Sequence, residues 1–272
     1  MPGIYTDLSN EEYHADKSSL SRSSLKDFYR SPHYYWSMHL NPNRPKRIET
    51  DEMRFGTAFH KLILEPNTFE MEYAIKPERV LLKDVGRDKY EAYKSECDAL
   101  ENSGKIVLSD EDMITLHEMA MALVRNDKAK QLLSDGEIEK SFFWADSQSD
   151  ITLKARPDIL QNNMIIDVKT IADASYQAYQ RSMVSGWYHV QGAMIRDAIR
   201  KFEDKDISNV INICVEKKYP YSVGIYLIDE AALDEGERMY KNILLHLRDC
   251  LINNDFRDLE IRTVELPKWA LL

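Results

Sequence analysis

The stretch Ile151–Thr170, ITLKARPDILQNNMIIDVKT, decides how this chain is read. Its first half alternates strictly: Ile151, Leu153, Ala155, Pro157 and Ile159 point one way, and Thr152, Lys154, Arg156 and Asp158 the other. That is the period of a half-buried strand. Gln161, Asn162 and Asn163 supply a turn, and Met164–Thr170 returns as the second strand of a hairpin. On the return strand Asp167 and Lys169 leave the same face about 7 Å apart, while Val168 joins Ile166 in the apolar layer. Asp158, its backbone fixed by the preceding Pro157, lies across the turn near Asp167. Two carboxylates facing each other at roughly 5 Å repel unless a cation sits between them. Hard oxygen donors with no cysteine beside them favour Mg²⁺ or Mn²⁺ over zinc. A lysine two residues on can orient or deprotonate a water, or stabilise charge developing on a phosphoryl group. An Asp-x-Lys pair on a strand is, by itself, more often a solvated salt bridge. Here the run around Asp167 is otherwise apolar, so a charge within it needs a reason.

Working outward, Glu137–Ala145 (EIEKSFFWA) reads as a further strand, and Ile207–Glu216 and Tyr221–Ile228 as another hairpin. Helices are expected near Ala172–Met183 and Gly186–Phe202, and over Asp229–Asn253. In the front half, Ser18–Ser31 opens with capping serines and stops before Pro32, and Asp51–Leu64 is ended by Pro66. Between these two helices PHYYWSMHLNPNRPKR is expected to be a loop. A polar helix follows at Arg87–Asn102, then the short strand KIVL, then a helix from the Ser109–Asp112 capping box to about Leu133. Helices flanking a mixed sheet make an α/β (α+β) sandwich. No repeat or low-complexity linker divides the 272 residues, so one domain is expected: a helical part to about 135, a sheet core at about 136–228, and a C-terminal helix and tail at about 229–272.

The order of these features resembles the PD-(D/E)XK nuclease superfamily. GTAFH (Gly56–His60), a strand Glu, RPD, DVKT and a helix bearing YHVQGAM (Tyr188–Met194) follow one another as in that family, and LSRSSLKDFYRSPHYYW (Leu20–Trp36) resembles the segment that opens RecB-like nucleases. Within the superfamily the chain looks most like the RecE-type exonuclease branch, related to RecB and Cas4 nucleases, over residues from about 18 to 200. The resemblance implies a restriction-endonuclease-like core with Asp158, Asp167 and His60 as metal ligands, the Val168 carbonyl as an extra one, and Lys169 as the catalytic lysine. Gln191 matches a glutamine that contacts substrate near the site. The family's tyrosine four residues further on is Ile195 here; Tyr188, one turn before Gln191 on the same face, is the candidate substitute, and the tyrosine role stays open. Glu139 stands where relatives carry an extra strand acid; a solvated strand Glu is the competing reading.

By the same resemblance, the chain is expected to be a Mg²⁺-dependent exonuclease on linear double-stranded DNA, working 5′→3′ to leave 3′ single strands. Mn²⁺ is a substitute metal. The expected partners are other copies of the chain in a ring tetramer and a RecT-like annealing protein in recombination. Two rival readings stay open: a RecB- or Cas4-like nuclease on single strands, and a non-catalytic DNA-binding module of the same fold. Cas4-like proteins carry cysteines for an iron–sulfur cluster, and the scattered Cys97, Cys214 and Cys250 do not make four ligands.

Bulk composition at first opposes a DNA partner, because 36 Lys+Arg against 46 Asp+Glu gives a net charge of −10. The distribution softens this. Arg22, Lys26, Arg30, Arg44, Lys46 and Arg47 crowd one stretch against the single acid Asp27, and the acids gather between Asp229 and Glu260. In the basic stretch Arg22, Lys26 and Arg30, with Ser23 and Ser24 at a helix N-terminus, are candidates for phosphate contact, although plain capping explains the serines equally well. Tyr34, Tyr35 and Trp36 are candidates for stacking on an unpaired base, with packing under a loop the expected use of at least one of them. No apolar run is long enough to span a bilayer, the first residues lack the pattern of a secretory signal, and the few unpaired cysteines fit a reducing compartment, so a cytoplasmic protein with no membrane partner is expected.

Overall fold

In the computed structural model, which describes residues 2–45, 50–257 and 264–265, the strands are β1 (Gly3–Tyr5), β2 (Tyr73–Ile75), β3 (Ile106–Leu108), β4 (Glu137–Ile138), β5 (Ser141–Ala145), β6 (Thr152–Ala155), β7 (Ile159–Gln161), β8 (Met164–Ile171), β9 (Asn209–Glu216) and β10 (Val223–Ile228). The helices are α1 (Asn10–Ala15), α2 (Arg22–Arg30), α3 (Pro32–Tyr35), α4 (Asp51–Leu64), α5 (Pro66–Glu72), α6 (Leu82–Val85), α7 (Arg87–Asn102), α8 (Asp110–Arg125), α9 (Asp127–Leu132), α10 (Tyr176–Gly186), α11 (Tyr188–Glu203) and α12 (Glu230–Asn253). The strands form a mixed sheet in the order β10-β9-β8-β7-β4, an antiparallel sheet β1-β5-β6 and a parallel pair β2-β3.

Strand β8 is the axis of the mixed sheet. It runs antiparallel to β7 and parallel to β9, with Asp167 opposite Asn212 and Lys169 opposite Cys214. Its alternation sends Ile166 and Val168 into a core shared with α4 and α8, and Ile165 into a second core shared with α11 and α12. Helices on both sides therefore cover the strand, which is why its sequence is apolar on both faces apart from Asp167, Lys169 and Thr170. Local signals set the helix ends: the Thr50 hydroxyl accepts from the Met53 N–H at 3.3 Å to start α4, and Pro66 stops it. Asp229 caps α12 by accepting from Ala232 N–H at 2.9 Å.

Five sequence expectations are corrected. The strand expected across Ile151–Ile159 is broken: β6 ends at Ala155, Arg156–Asp158 form an irregular crossing, and β7 begins at Ile159 in the other sheet. Lys154 does not face solvent but is 5% exposed, because the Tyr13–Asp16 segment lies over it and accepts its ammonium through the Tyr13 and Asp16 carbonyls, each at 2.6 Å. The Glu137–Ala145 strand likewise divides at Glu139, which takes a left-handed φ of 49° and lets β4 and β5 join different sheets. The loop expected after Ser31 is helical, with α3 running into a single π-helical turn at Trp36–Leu40. The helix from Asp110 also breaks at Asn126, whose side chain caps α9 by accepting from Ala129 N–H at 3.0 Å.

Candidate active site

The break after β6 places Asp158. One register step beyond the last pair of β7 and β8, Ile159 with Ile166, it comes to the side of Asp167. Its two carboxylate oxygens are used separately. Oδ2 accepts from the Val168 N–H at 2.6 Å, and Oδ1 lies 3.2 Å from His60 Nδ1. His60 is delivered by α4, whose Ala58 and Phe59 are packed in the core so that the imidazole is held against the strand ends. Burial opposes the charge on both partners. The attraction between them prevails, holding the Asp158 carboxyl below the usual carboxylate range and raising His60.

Asp167 is 3% exposed and sits on the opposite face of β8 from Val168. Burial raises its carboxyl, the neighbouring Asp158 raises it further, and Lys169 pulls the other way. Lys169 Nζ contacts Asp167 Oδ2 directly. Gln191, on the second turn of α11, closes the arrangement: it donates from Nε2 to Asp167 Oδ1 at 3.2 Å and accepts from Lys169 Nζ at Oε1 at 3.2 Å. Tyr188 forms one wall, with Lys169 Nζ 5.1 Å from its ring centroid. The sharp junction that starts α11 rests on Trp187, which is buried at a left-handed φ of 61°.

The structure therefore brings His60, Asp158, Asp167, Val168, Lys169, Tyr188 and Gln191 to one seam between α4 and α11. The other candidates are placed differently. Glu139 is half-buried beside the seam, and its carboxylate pairs with Arg156 at 3.2 Å. Burial raises its carboxyl, Arg156 lowers it, and Asp158 acts to raise it again, so it lies within electrostatic range of the seam. Arg22 lies near the Tyr188 ring, 5.9 Å from its centroid, and donates to the Gly186 carbonyl at 2.8 Å, which makes it a brace for the α10–α11 junction. Ser24 is turned inward, 8% exposed, with its hydroxyl accepting from Ser21 N–H at 3.4 Å; an outward phosphate contact from it is corrected to an internal cap. Ser23, Lys26 and Arg30 are exposed, with Arg30 lying 3.9 Å over the Tyr34 ring. Lys46 and Arg47 lie outside the described residues.

Two neighbours of the seam escaped the sequence reading. Asn212 is 2% exposed beside Asp167 on β9 and accepts from the Tyr179 hydroxyl at 3.0 Å. A polar residue inside the apolar run Val210–Val215 was the available signal, the same one that singles out Asp167. Arg156 is the second: it ties Glu139 to the Ser141 hydroxyl at 2.7 Å and to the Leu8 carbonyl at 2.8 Å.

Two carboxylates, an imidazole and a lysine converging at the end of a strand form a site able to bind and hydrolyse a phosphodiester. Comparisons agree with that reading of the fold. No curated protein matches the sequence. A solved structure, the "Putative exonuclease" of Eubacterium rectale, superposes with a TM-score of 0.64 at 14% identity, covering 97% of this chain and 96% of that one, a likeness of fold. The family model described as a PDDEXK-like domain of unknown function (DUF3799) matches residues 21–257, from the start of α2 to beyond α12. The chain belongs to this PDDEXK-like family.

Proposed function

We propose that this protein is a divalent-metal-dependent deoxyribonuclease, and specifically an exonuclease of the RecE type acting on linear double-stranded DNA. The observation that carries the reading is the closed contact set Lys169–Asp167–Gln191 beside His60–Asp158, buried at the one place where β7, β8, α4 and α11 meet. The name given to the Eubacterium rectale protein supports the exonuclease class. Degradation in the 5′→3′ sense, a ring tetramer and a RecT-like annealing partner are carried by the family resemblance.

The donor set fits a hard cation. Asp167 feels the charge of Asp158, and His60 adds an imidazole beside both carboxylates. Among the described residues no group of three or more His, Cys, Asp or Glu is disposed to hold a metal as the side chains stand, with Lys169 paired to Asp167 and His60 to Asp158. His60, Asp158 and Asp167 would hold Mg²⁺ or Mn²⁺ once Lys169 swings off Asp167 toward the substrate. A bound cation supplies positive charge to the scissile phosphate and acidifies water. The chain's own part is then clear. Lys169 donates to the attacking water or to a phosphoryl oxygen, Gln191 fixes the direction of that ammonium, and the Val168 N–H holds Asp158 in one orientation.

The test is hydrolysis of a linear duplex labelled separately at its 5′ and 3′ ends, with a covalently closed circle as control, in Mg²⁺, Mn²⁺ or EDTA. Metal-dependent release of 5′ label from the linear duplex alone supports the full reading. Cutting of the circle, or of single strands only, would replace the exonuclease by another nuclease of this fold. Inactivity on every substrate with either metal would refute the enzyme reading.

A further inference from the structure

The turn between β9 and β10, Lys217-Lys218-Tyr219-Pro220-Tyr221, is built unlike the rest of the surface. Tyr219 is 87% exposed, although burying an aromatic ring is among the most favourable uses of that side chain. Its ring is set edge-on to Tyr221 at 6.4 Å, and Tyr221 is rooted against the core shared with α4 and α8. Tyr221 also holds a left-handed φ of 59° and donates its N–H to the Lys218 carbonyl at 2.7 Å, so the tip is a tight, defined turn. Lys218 is exposed with no ion-pair partner among the described residues, in a protein whose net charge is −10. Glu52 on α4 is the acid that feels Lys217.

The position of the turn gives it meaning. β8 and β9 are parallel, so the tip emerges at the end of β8 that follows Lys169, and the Lys217 N–H donates to the Ile171 carbonyl at 3.3 Å. Ile171 is two residues beyond Lys169, about 7 Å along a strand, or about two steps of a nucleic-acid strand at 3.4 Å each. Lys217 Nζ lies 5.6 Å from the centroid of Phe55 on α4, the helix that carries His60. An outward aromatic that follows two lysines, on the turn beyond the end of the strand that carries Lys169, is the combination that holds unpaired nucleotides: cations on the phosphates and a ring against the base.

We propose that the Lys217–Tyr221 turn is a binding site for the single-stranded end of the DNA, with Tyr219 stacking on an unpaired base beyond the scissile nucleotide and Lys218 contacting its phosphate. The proposal rests on the nuclease reading for its substrate but concerns residues outside the catalytic seam.

The experiment measures binding without divalent ions, by anisotropy of a labelled single-stranded oligonucleotide, a duplex with a frayed end and a blunt duplex. Wild type is compared with Tyr219→Ala, Tyr219→Trp and Lys218→Ala. These positions are exposed, so circular dichroism should be unchanged. Tyr219→Ala is expected to weaken binding to the single strand and frayed duplex about tenfold and to the blunt duplex less than twofold. Tyr219→Trp should restore affinity and show emission quenched by the oligonucleotide relative to wild type. Lys218→Ala should weaken all three and lower the salt slope by about 0.7, the value of one phosphate contact on a single strand. Equal affinities for wild type and Tyr219→Ala, or a loss as large on the blunt duplex as on the single strand, overturn the stacking site. If wild type cleaves DNA while Tyr219→Ala binds as wild type does, this proposal falls and the nuclease reading stands. If wild type cleaves nothing but single-strand binding depends on Tyr219, the site stands without the nuclease.

Discussion

Asp158 Oδ2 accepts the Val168 backbone N–H at 2.6 Å, and this bond ties the crossing between the two sheets to the strand that carries Asp167 and Lys169. It also settles which oxygen of Asp158 remains for other partners, since Oδ1 is the one turned to His60.

Replacing Asp158 separates the bond from the charge. In Asp158→Asn the amide oxygen can still accept from Val168, whereas Asp158→Ala leaves a buried N–H unpaired at a cost of roughly 1–3 kcal/mol. Urea unfolding should therefore show Asp158→Ala destabilised by about that amount and Asp158→Asn by less than half of it. Both should lose about 100-fold or more in cleavage, because neither supplies the carboxylate charge. Equal stability of the two variants would mean that the bond to Val168 contributes nothing.

Lys169 and Gln191 should differ in kind. Lys169→Met removes the ammonium that compensates buried Asp167, and an uncompensated buried charge costs roughly 3–5 kcal/mol. Asp167 then takes up a proton more readily. Its folded-state pKa, already raised by burial, moves further above the unfolded value. A raised carboxyl contributes stability at low pH that is lost as pH rises through the folded value. The Lys169→Met protein should thus be closest to wild type in acid and fall away toward neutral pH. Gln191→Ala should leave that profile near wild type and lower kcat by about tenfold, by freeing the Lys169 ammonium to wander.

The sequence carried much of this arrangement. Asp51–Leu64 and Arg87–Asn102 were legible to the residue: Thr50 and Pro66 bound the first, and Gly86 and the Ser103-Gly104 turn bound the second. The β7–β8 hairpin followed from the Gln161–Asn163 turn. What could not be read was the break at Arg156–Asp158. The apolar positions Leu153, Ala155, Pro157 and Ile159 stay in phase through it, so alternation alone cannot distinguish one long strand from two short ones in different sheets. The burial of Lys154 and Arg156 was hidden for another reason. Their partners Asp16, Tyr13 and Leu8 lie about 140 residues earlier, and no local pattern reports a contact at that separation.

That N-terminal clasp should be sensitive to acid. Burial works against the charge on Asp16, but the Ser18 and Ser19 side chains, the Ser18 N–H and Lys154 hold its carboxyl far below the usual range. A depressed carboxyl contributes stability that is present above its unfolded value, near 3.8, and is lost as pH falls through the folded one. Asp16→Asn should cost roughly 1–2 kcal/mol at pH 7 and flatten the decline of the urea midpoint below about pH 4. Identical acid profiles for wild type and variant would place the pH dependence elsewhere.

Gly56 poses a choice between two costs. It lies inside α4, where glycine is worse than alanine by roughly 0.5–1 kcal/mol, and a Cβ there meets no atom within 4 Å. Internal packing therefore does not require glycine, and Gly56→Ala should raise unfolding stability by about 0.5–1 kcal/mol. Four residues later, on the same side of the helix, stands His60. If the open space beside Gly56 is where the DNA backbone passes, the added methyl intrudes on it, and kcat/KM on a linear duplex should fall several-fold while stability rises. A variant that gains stability and keeps full activity would show that the space carries no substrate. One that loses stability would show that α4 is packed there against something the chain alone does not supply.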